Sequence, residues 1–279
     1  MAQIFQVGVG SGGMVVLDLL CRDPRIDHLV IVDPDLFQPH NVARHLFPAS
    51  AVSRLKVEVA AEWVRDRRPD ITIESLAVDL TDPVYQNTIE QAVASADVGV
   101  CAADNETAKY HFDRLMRRFG KPWTLGEVLS GGIGGWVHRF DPEGPCYGCL
   151  ASHLQRHDPP DPHAAPPDYS QPGGAVPATT IPASRASIDV IAGFHALATL
   201  ALLDAVAGFE GASVQPAAGP ASWLFALQQV PGIFEQPFKT HRIVVPKLPG
   251  CLICSTDSAL TGENLDVALA QALDRLGHE

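Results

Sequence analysis

A chain of 279 residues is long enough to bury one large α/β domain, or such a domain with a smaller lobe added to it. Hydrophobic residues make up 46% and charged residues 19%, as in a globular enzyme, and Lys+Arg 20 against Asp+Glu 32 gives a formal charge of -12. That balance leaves no basic footprint for tracking a phosphate backbone, which excludes nucleic acid as the expected partner.

The chain opens on an apolar run, residues 4–9, with no basic region or cleavage pattern ahead of it. No export signal is read there, and a cytoplasmic location is the expectation. The run ends in Gly8-Val9-Gly10-Ser11-Gly12-Gly13, after which residues 14–21 carry apolar side chains at helical spacing. The pattern predicts strand, glycine turn, helix. Residues 28–32 form a second strand closed by Asp33-Pro34-Asp35, a polar loop runs to about Ser53, and a helix follows over residues 55–67. Further strands are predicted over 72–77, 98–102 and 123–128, with helices over 85–95 and 105–119 between them. Alternating strands and helices predict an α/β, Rossmann-like, mostly parallel sheet covered on both faces. Such sheets bind ligands beyond the carboxyl ends of their strands, where Gly10, Asp33 and Asp104 all fall.

Residues 132–140 read as strand again, and Cys146-Tyr147-Gly148-Cys149 then opens a segment rich in Pro, Asp and His that runs to Pro182 and is read as a mobile loop. The long apolar stretch at 188–207 is interrupted by Asp189, His195 and Asp204, which predicts a buried helix and no membrane span. Strand candidates at 222–227, 233–238 and 240–245 extend the sheet with antiparallel strands, Cys251-Leu252-Ile253-Cys254 follows, and 264–276 has the spacing of a short amphipathic helix. The expected organisation is a nucleotide-binding unit over residues 1–140 and a C-terminal part over 141–279 packed against it as one unit.

Gly8-x-Gly10-x-x-Gly13 after the first strand lets the backbone approach a phosphate while the next helix aims its N-terminal amides at the negative charge. Asp33 lies about 20 residues on, at the end of the second strand, where a carboxylate can accept from ribose hydroxyls. NAD enzymes share that much. The discriminating stretch is Asp33-Pro34-Asp35 with Asn41-Val42-Ala43-Arg44, then Lys56, then Asp104-Asn105. The charge that a reaction concentrates on phosphate oxygens can be neutralised by two cations and a metal, and an NAD site has no need of such a cluster. Taken singly, Asp33, Asp35 and Asn41 could end a strand or cap a turn, and Arg44 and Lys56 could be solvated cations.

In its order and spacing this constellation resembles the ThiF/MoeB/HesA family, bacterial relatives of the ubiquitin-activating enzymes, over nearly the whole chain. The resemblance implies ATP-dependent adenylation of the C-terminal carboxylate of a small β-grasp carrier protein or peptide ending in Gly-Gly. It places Asp33 on the ribose, Asn41 and Arg44 on the phosphates, Lys56 by the α- and β-phosphates and Asp104 on Mg2+, with Asp35 and Asn105 in the same shell. It also implies a homodimer.

Cys146, Cys149, Cys251 and Cys254 form two CxxC pairs, and two such turns complete a tetrahedral thiolate shell suited to a structural zinc. The family resemblance includes such a site. Four buried free thiols or a redox pair are the alternatives. His153, His157 and His163 are spaced irregularly beside prolines, as in a solvated loop.

Two departures from the family bear on mechanism. Some members carry a cysteine in the loop before the last long helix, whereas Pro177-Ala178-Thr179-Thr180-Ile181-Pro182 has none, and Cys21 and Cys101 read as packing residues. The reaction is therefore expected to stop at the acyl-adenylate. Relatives often have an N-terminal helix that sends an arginine into the neighbouring subunit, and no such helix precedes the first strand read here. Arg185 is the candidate substitute, a partner subunit supplying an arginine is the other, and a plain cation near a helix start is the competing reading of Arg185. A nucleotide-binding pseudoenzyme or regulatory subunit, and an NAD-linked oxidoreductase, remain the competing functions. The stretch Trp136-Val137-His138-Arg139 is read either as a grip for the carrier or as strand packing.

Overall fold

Residues 2–7 are apolar except for Gln3 and Gln6, the pattern of a strand covered on both faces, and period-2 alternation divides the apolar side chains between two cores. In the computed structural model, which describes residues 1–154, 182–207 and 221–255, this segment is β1 (Ala2–Val7). Ile4 faces one core with Leu29, Ile31, Val98 and Val100, whereas Phe5 and Val7 face the other with Val30, Val32 and Cys101.

The elements follow in order as α1 (Ser11–Cys21), β2 (Ile26–Val32), α2 (Lys56–Arg67), β3 (Thr72–Leu76), α3 (Gln86–Ser95), β4 (Val98–Cys101), α4 (Glu106–Arg118) and β5 (Trp123–Val128). After these come β6 (Gly134–Phe140), α5 (Tyr147–His153), α6 (Arg185–Ala207), β7 (Ala221–Ala226) and β8 (Lys239–Ile243). They build one 8-stranded sheet in the order β3-β2-β1-β4-β5-β6-β7-β8. Strands β1 to β5 pair in parallel, and β6, β7 and β8 add on antiparallel. The mixed α/β sheet expected from the sequence is thus present, and it continues without a break past residue 140.

The first core holds Met14 and Leu17 of α1, Val57 and Val64 of α2, and Ala192, Ala196, Leu202 and Leu203 of α6. The second holds Ile89 and Val93 of α3 and Phe112, Leu115 and Met116 of α4, together with Tyr147, Leu150 and three of the paired cysteines. Among the described residues one helix, spanning Arg185–Val206, is long and apolar enough to cross a membrane. It packs on α1, β5 and β6 and belongs to the protein core.

Because β1 turns to β2 on one side and β4 lies on its other side, the carboxyl ends of β1 and β4 bound the crevice at which strand order reverses. The glycine turn leaves β1 at that point. Gly8 adopts φ +88, and a Cβ there would lie 2.6 Å from the Ala102 carbonyl oxygen, so only glycine fits. A Cβ on Gly13 would lie 2.2 Å from the Gly8 carbonyl oxygen, which seats α1 tightly against the end of β1. At Gly10 a Cβ would meet nothing within 4 Å, so packing does not demand glycine there.

The structure corrects one strand. Residues 233–238 form a turn with only an isolated bridge between Val230 and Phe234. Pro231 and Pro237 donate no ladder hydrogen bond, while Gly232 at φ +79 and Phe238 at φ +58 leave extended geometry. Residues 136–139 lie in β6, hydrogen-bonded between β5 and β7 with Val137 and His138 buried, which is the strand-packing alternative. His157, His163, the loop at 177–181 and the predicted helix at 264–276 lie outside the described residues.

Candidate active site

The glycine turn is held from inside by side chains reaching it from β1, β2 and the loop after β2. Gln6, fully buried in β1, donates through Nε2 to the carbonyls of Gly8 at 3.0 Å and Gly13 at 2.8 Å. The Val9 amide donates to Asp33 Oδ2 at 2.8 Å, and the Val9 carbonyl accepts from His45 Nε2 at 3.0 Å. His45 Nδ1 in turn accepts from the Phe47 amide at 3.3 Å, which assigns the ring proton to Nε2. Asp33 is buried and accepts a second hydrogen bond, from the Asp35 amide, at 2.9 Å. Burial raises its carboxyl above the usual carboxylate range, with Lys56 and the two amides opposing.

The two sequence-predicted cations approach this turn from the loop after β2 and from α2. Lys56, buried at the first position of α2, places Nζ 2.6 Å from Asp35 Oδ2 and 4.0 Å from Asp33 Oδ1. Arg44 is half-buried in the turn that follows Asn41, and its charge reaches His45 together with those of Lys56 and Arg185. Asn41 is buried, and its Oδ1 accepts from the Gln38 amide at 3.0 Å, closing a capping turn over Pro39–Asn41. Asn105 likewise caps α4, accepting from the Ala108 amide at 2.8 Å. Both asparagines therefore use one side-chain oxygen locally. Asp104 is exposed between β4 and α4.

Arg185 opens α6 and donates from Nε to Asp189 Oδ1 at 2.6 Å. Three residues on, Ile188 packs 3.7 Å from the position a Gly12 Cβ would take, which brings the start of α6 to the rim of the glycine turn. The ends of β1, β2 and β4 and the starts of α1, α2, α4 and α6 thus frame one crevice.

Burial holds His45 at a pKa of about 4, the Val9 carbonyl opposing and the nearby cations assisting. Burial also lowers His195, whose Nε2 meets Thr124 Oγ1 at 3.0 Å, to about 4. Both histidines are neutral in the fold, and the unfolded chain binds more protons between pH 6.5 and 4. Stability therefore falls with pH across that window, by about 2 kcal/mol per group at pH 5. Urea denaturation at pH 7 and pH 5 checks this. A His195→Gln variant should lose part of the pH dependence.

Away from the rim, the four paired cysteines meet beside α4. Their Sγ atoms all lie within 4.8 Å of one another, with Cys146 3.7 Å from Cys149 and 3.6 Å from Cys251, and Cys149 3.5 Å from Cys254. A tetrahedral metal–thiolate shell with bonds of about 2.3 Å has sulfur–sulfur edges of about 3.8 Å, so the arrangement fits a zinc-sized ion. Amides of Cys149 and Leu248 donate to Cys146 Sγ and Cys149 Sγ, each at 3.4 Å, as suits thiolates. Burial pushes the Cys146 thiol up, whereas at Cys251 the amides of Ile253 and Cys254 and the neighbouring thiols outweigh burial and bring it below its ordinary value.

The family model for ThiF matches residues 1–229. The chain belongs to the ThiF family. The SAMP-activating enzyme E1 of Haloferax volcanii is 29% identical over 150 residues, covering 53% of this chain and 53% of that protein. Ubiquitin-like modifier-activating enzyme 5 of Oryza sativa is 24% identical over 153 residues, covering 51% of this chain and 36% of its own. The chain spans about half, or less, of the length of these curated relatives. Among solved structures, E. coli MccB with ATP superposes with a TM-score of 0.62 at 17% identity, covering 91% of this chain and 67% of that one. MccB with MccA-N7isoASN gives a TM-score of 0.64 at 16% identity, covering 91% and 67%. At such identities the likeness shows the fold.

Within this ThiF-family fold, sequence reasoning missed Gln6, His45 and a buried ionic group around Lys109. Gln6 was visible as a polar residue in the most buried part of the first strand. His45 acts through Val9, 36 residues away, and Lys109 joins its i,i+3 neighbour Glu106 to the distant Glu127, a partner that no local spacing reports. Lys109 Nζ lies 2.8 Å from Glu106 Oε1 and 2.7 Å from Glu127 Oε1, and Glu127 Oε2 lies 3.2 Å from His138 Nε2.

Proposed function

We propose that this chain binds ATP with Mg2+ at the rim of the sheet and adenylates the C-terminal carboxylate of a small β-grasp carrier protein or peptide ending in Gly-Gly. What supports the reading is the glycine turn at the point of strand reversal with Asp33 and Lys56 beside it, Arg44 in the loop after β2 and Asp104 in the loop after β4. Gly8, Gly10 and Gly13 shape the turn for the phosphates, Asp33 lies within reach of a ribose, and the amides at the start of α1 face negative charge. Asn41, Asp35 and Asn105 complete the shell around the triphosphate. Asp104 would hold Mg2+, which would neutralise phosphate charge when bound.

In the reaction a carboxylate oxygen of the carrier attacks the α-phosphorus, the bond from that phosphorus to the β-phosphate oxygen breaks, and pyrophosphate leaves with the electron pair. Lys56 and Arg44 supply positive charge where it builds up on the phosphate oxygens. For this, Lys56 has to exchange part of its contact with Asp35, whose side chain is exposed. The acyl-adenylate is the product, and a thiol or amine from outside this chain consumes it, since residues 177–182 hold no cysteine. Zn2+ in the Cys146, Cys149, Cys251 and Cys254 cluster is structural. Residues 1–140 carry the nucleotide site and 141–279 the zinc site and crossover. A homodimer is supported by the exposed Val190, Phe194 and Leu197 at helical spacing on α6, and a cytoplasmic location is proposed with it. The names of the relatives fit: one is a SAMP-activating enzyme, and MccB has been crystallised with ATP and with MccA-N7isoASN.

Carrier-dependent exchange of labelled pyrophosphate into ATP tests the proposal, and it separates an enzyme from a regulatory subunit that only binds nucleotide. Activity is expected with no covalent adduct between carrier and chain. A thiol-reversible adduct would return the catalytic thiol to this chain.

A further inference from the structure

Between the two paired cysteines of the first turn sits a tyrosine with no part in metal binding. Tyr147 is the first residue of α5, its N-cap is Cys146, and its side chain is fully buried. Its ring packs edge-on against Tyr110 of α4 at a centroid distance of 4.9 Å. Its hydroxyl donates to Glu106 Oε2 at 2.7 Å. Glu106 is the first residue of α4, two positions after Asp104 and next to the capping Asn105.

We infer that Tyr147 is a positioning residue that ties the cysteine cluster to the Asp104 wall of the nucleotide site, so that metal held in the cluster and Mg-ATP bound at the rim strengthen each other. The inference rests on the nucleotide-binding reading above and adds a second ligand to it. The tie is short and stiff: a buried phenol joins the α5 turn to the α4 turn with one rotatable ring between them. Glu106 does not depend on the tyrosine for charge compensation, because Lys109 Nζ lies 2.8 Å from its other oxygen. Lys109 also bonds Glu127, Glu127 meets His138, and His138 Nδ1 meets Ser222 Oγ at 2.8 Å. That network anchors Glu106 to β5, β6 and β7 with or without the phenol. The hydroxyl thus contributes orientation of the α4 start toward the cluster, where a merely structural role would contribute stability alone.

When the cluster holds its ion, the Cys146 turn is clipped to the segment at 251–254 and Tyr147 has one position. Without the ion the turn is free to shift, and the Tyr147 bond then holds the α4 start less firmly toward the cluster. Linkage then requires a symmetrical effect, each ligand changing the affinity of the other by the same factor.

The test uses the full chain loaded with zinc. Tyr147→Phe is expected to keep one zinc per chain and a near-normal melting curve while its Kd for Mg-ATP, read by calorimetry, rises by about 5- to 20-fold. In the unsubstituted protein, saturating Mg-ATP is expected to raise zinc affinity against a zinc-selective chelator by the same factor that zinc raises Mg-ATP affinity. In Tyr147→Phe that reciprocal gain should be absent. Should the variant fail to fold, the chelator titration on the unsubstituted protein decides alone. A folded, zinc-loaded Tyr147→Phe that binds Mg-ATP normally overturns the inference, as does a zinc affinity indifferent to Mg-ATP. A protein that binds no Mg-ATP at all sinks the nucleotide reading and this inference with it, whereas binding without the linkage sinks only the inference.

Discussion

Asp104→Ala should lower carrier-dependent pyrophosphate exchange by at least about 10²- to 10³-fold while leaving the melting curve within a degree or two of the unsubstituted protein, the scale seen when one electrostatic stabiliser is removed from a transition state. The separation of the two effects follows from where the side chain sits. Asp104 is exposed, follows the last residues of β4, and stands outside the capping bond that Asn105 gives to α4. Truncation at Asp104 removes the carboxylate proposed for Mg2+ and leaves the helix cap in place. Asn105→Ala supplies the contrast, because it deletes the hydrogen bond to the Ala108 amide and should cost about 1 kcal/mol of stability. If Asp104→Ala unfolds the protein instead, the residue is structural and the magnesium role is wrong.

The second large effect concerns the thiol cluster. Cys254→Ser should release the zinc and destabilise the protein by on the order of 5 kcal/mol, a fraction of the binding energy of a structural zinc. Cys254 is buried against the second core beside Cys149, in a segment whose Val245 is also buried there. Among the described residues few regular elements hold that segment, since β8 is an edge strand paired there only with β7. Metal analysis and thermal unfolding of the purified variant check the prediction, and chelator treatment of the unsubstituted protein should reproduce it. Protein isolated without stoichiometric zinc and indifferent to chelator would contradict it.

How much of this was legible in the sequence depended on the range of the interactions involved. The glycine turn, Asp33 at the end of β2 and the two CxxC pairs were readable because each is a local spacing with a local physical cause. The parallel half of the sheet was readable from alternation of strand and helix, and from runs such as His28–Val32 that are apolar on both faces. The strand predicted at 233–238 was not there because apolar content outweighed Pro231, Gly232 and Pro237, each of which interrupts a ladder. Asn41 and Asn105 were read for the ligand, and the structure shows each also closing its own turn, a competition between local and distant hydrogen bonds that spacing cannot resolve. His45 and Gln6 went unread as turn-holding residues because their partners, Val9 and Gly13, are chosen by tertiary packing. Lys109, three residues after Glu106, looks like a solvated helical cation, and its burial between two carboxylates depends on Glu127 of β5, a partner chosen by tertiary packing.

Isothermal titration of Mg-ATP into the zinc-loaded chain, with Lys56→Ala alongside and NAD as the competing ligand, tests the central claim most directly. The account predicts saturable binding of one Mg-ATP per chain, weakened at least about 10-fold by Lys56→Ala through loss of a charge-assisted contact, and no heat from NAD. Absence of Mg-ATP binding with candidate carriers present, or NAD binding in its place, would contradict it.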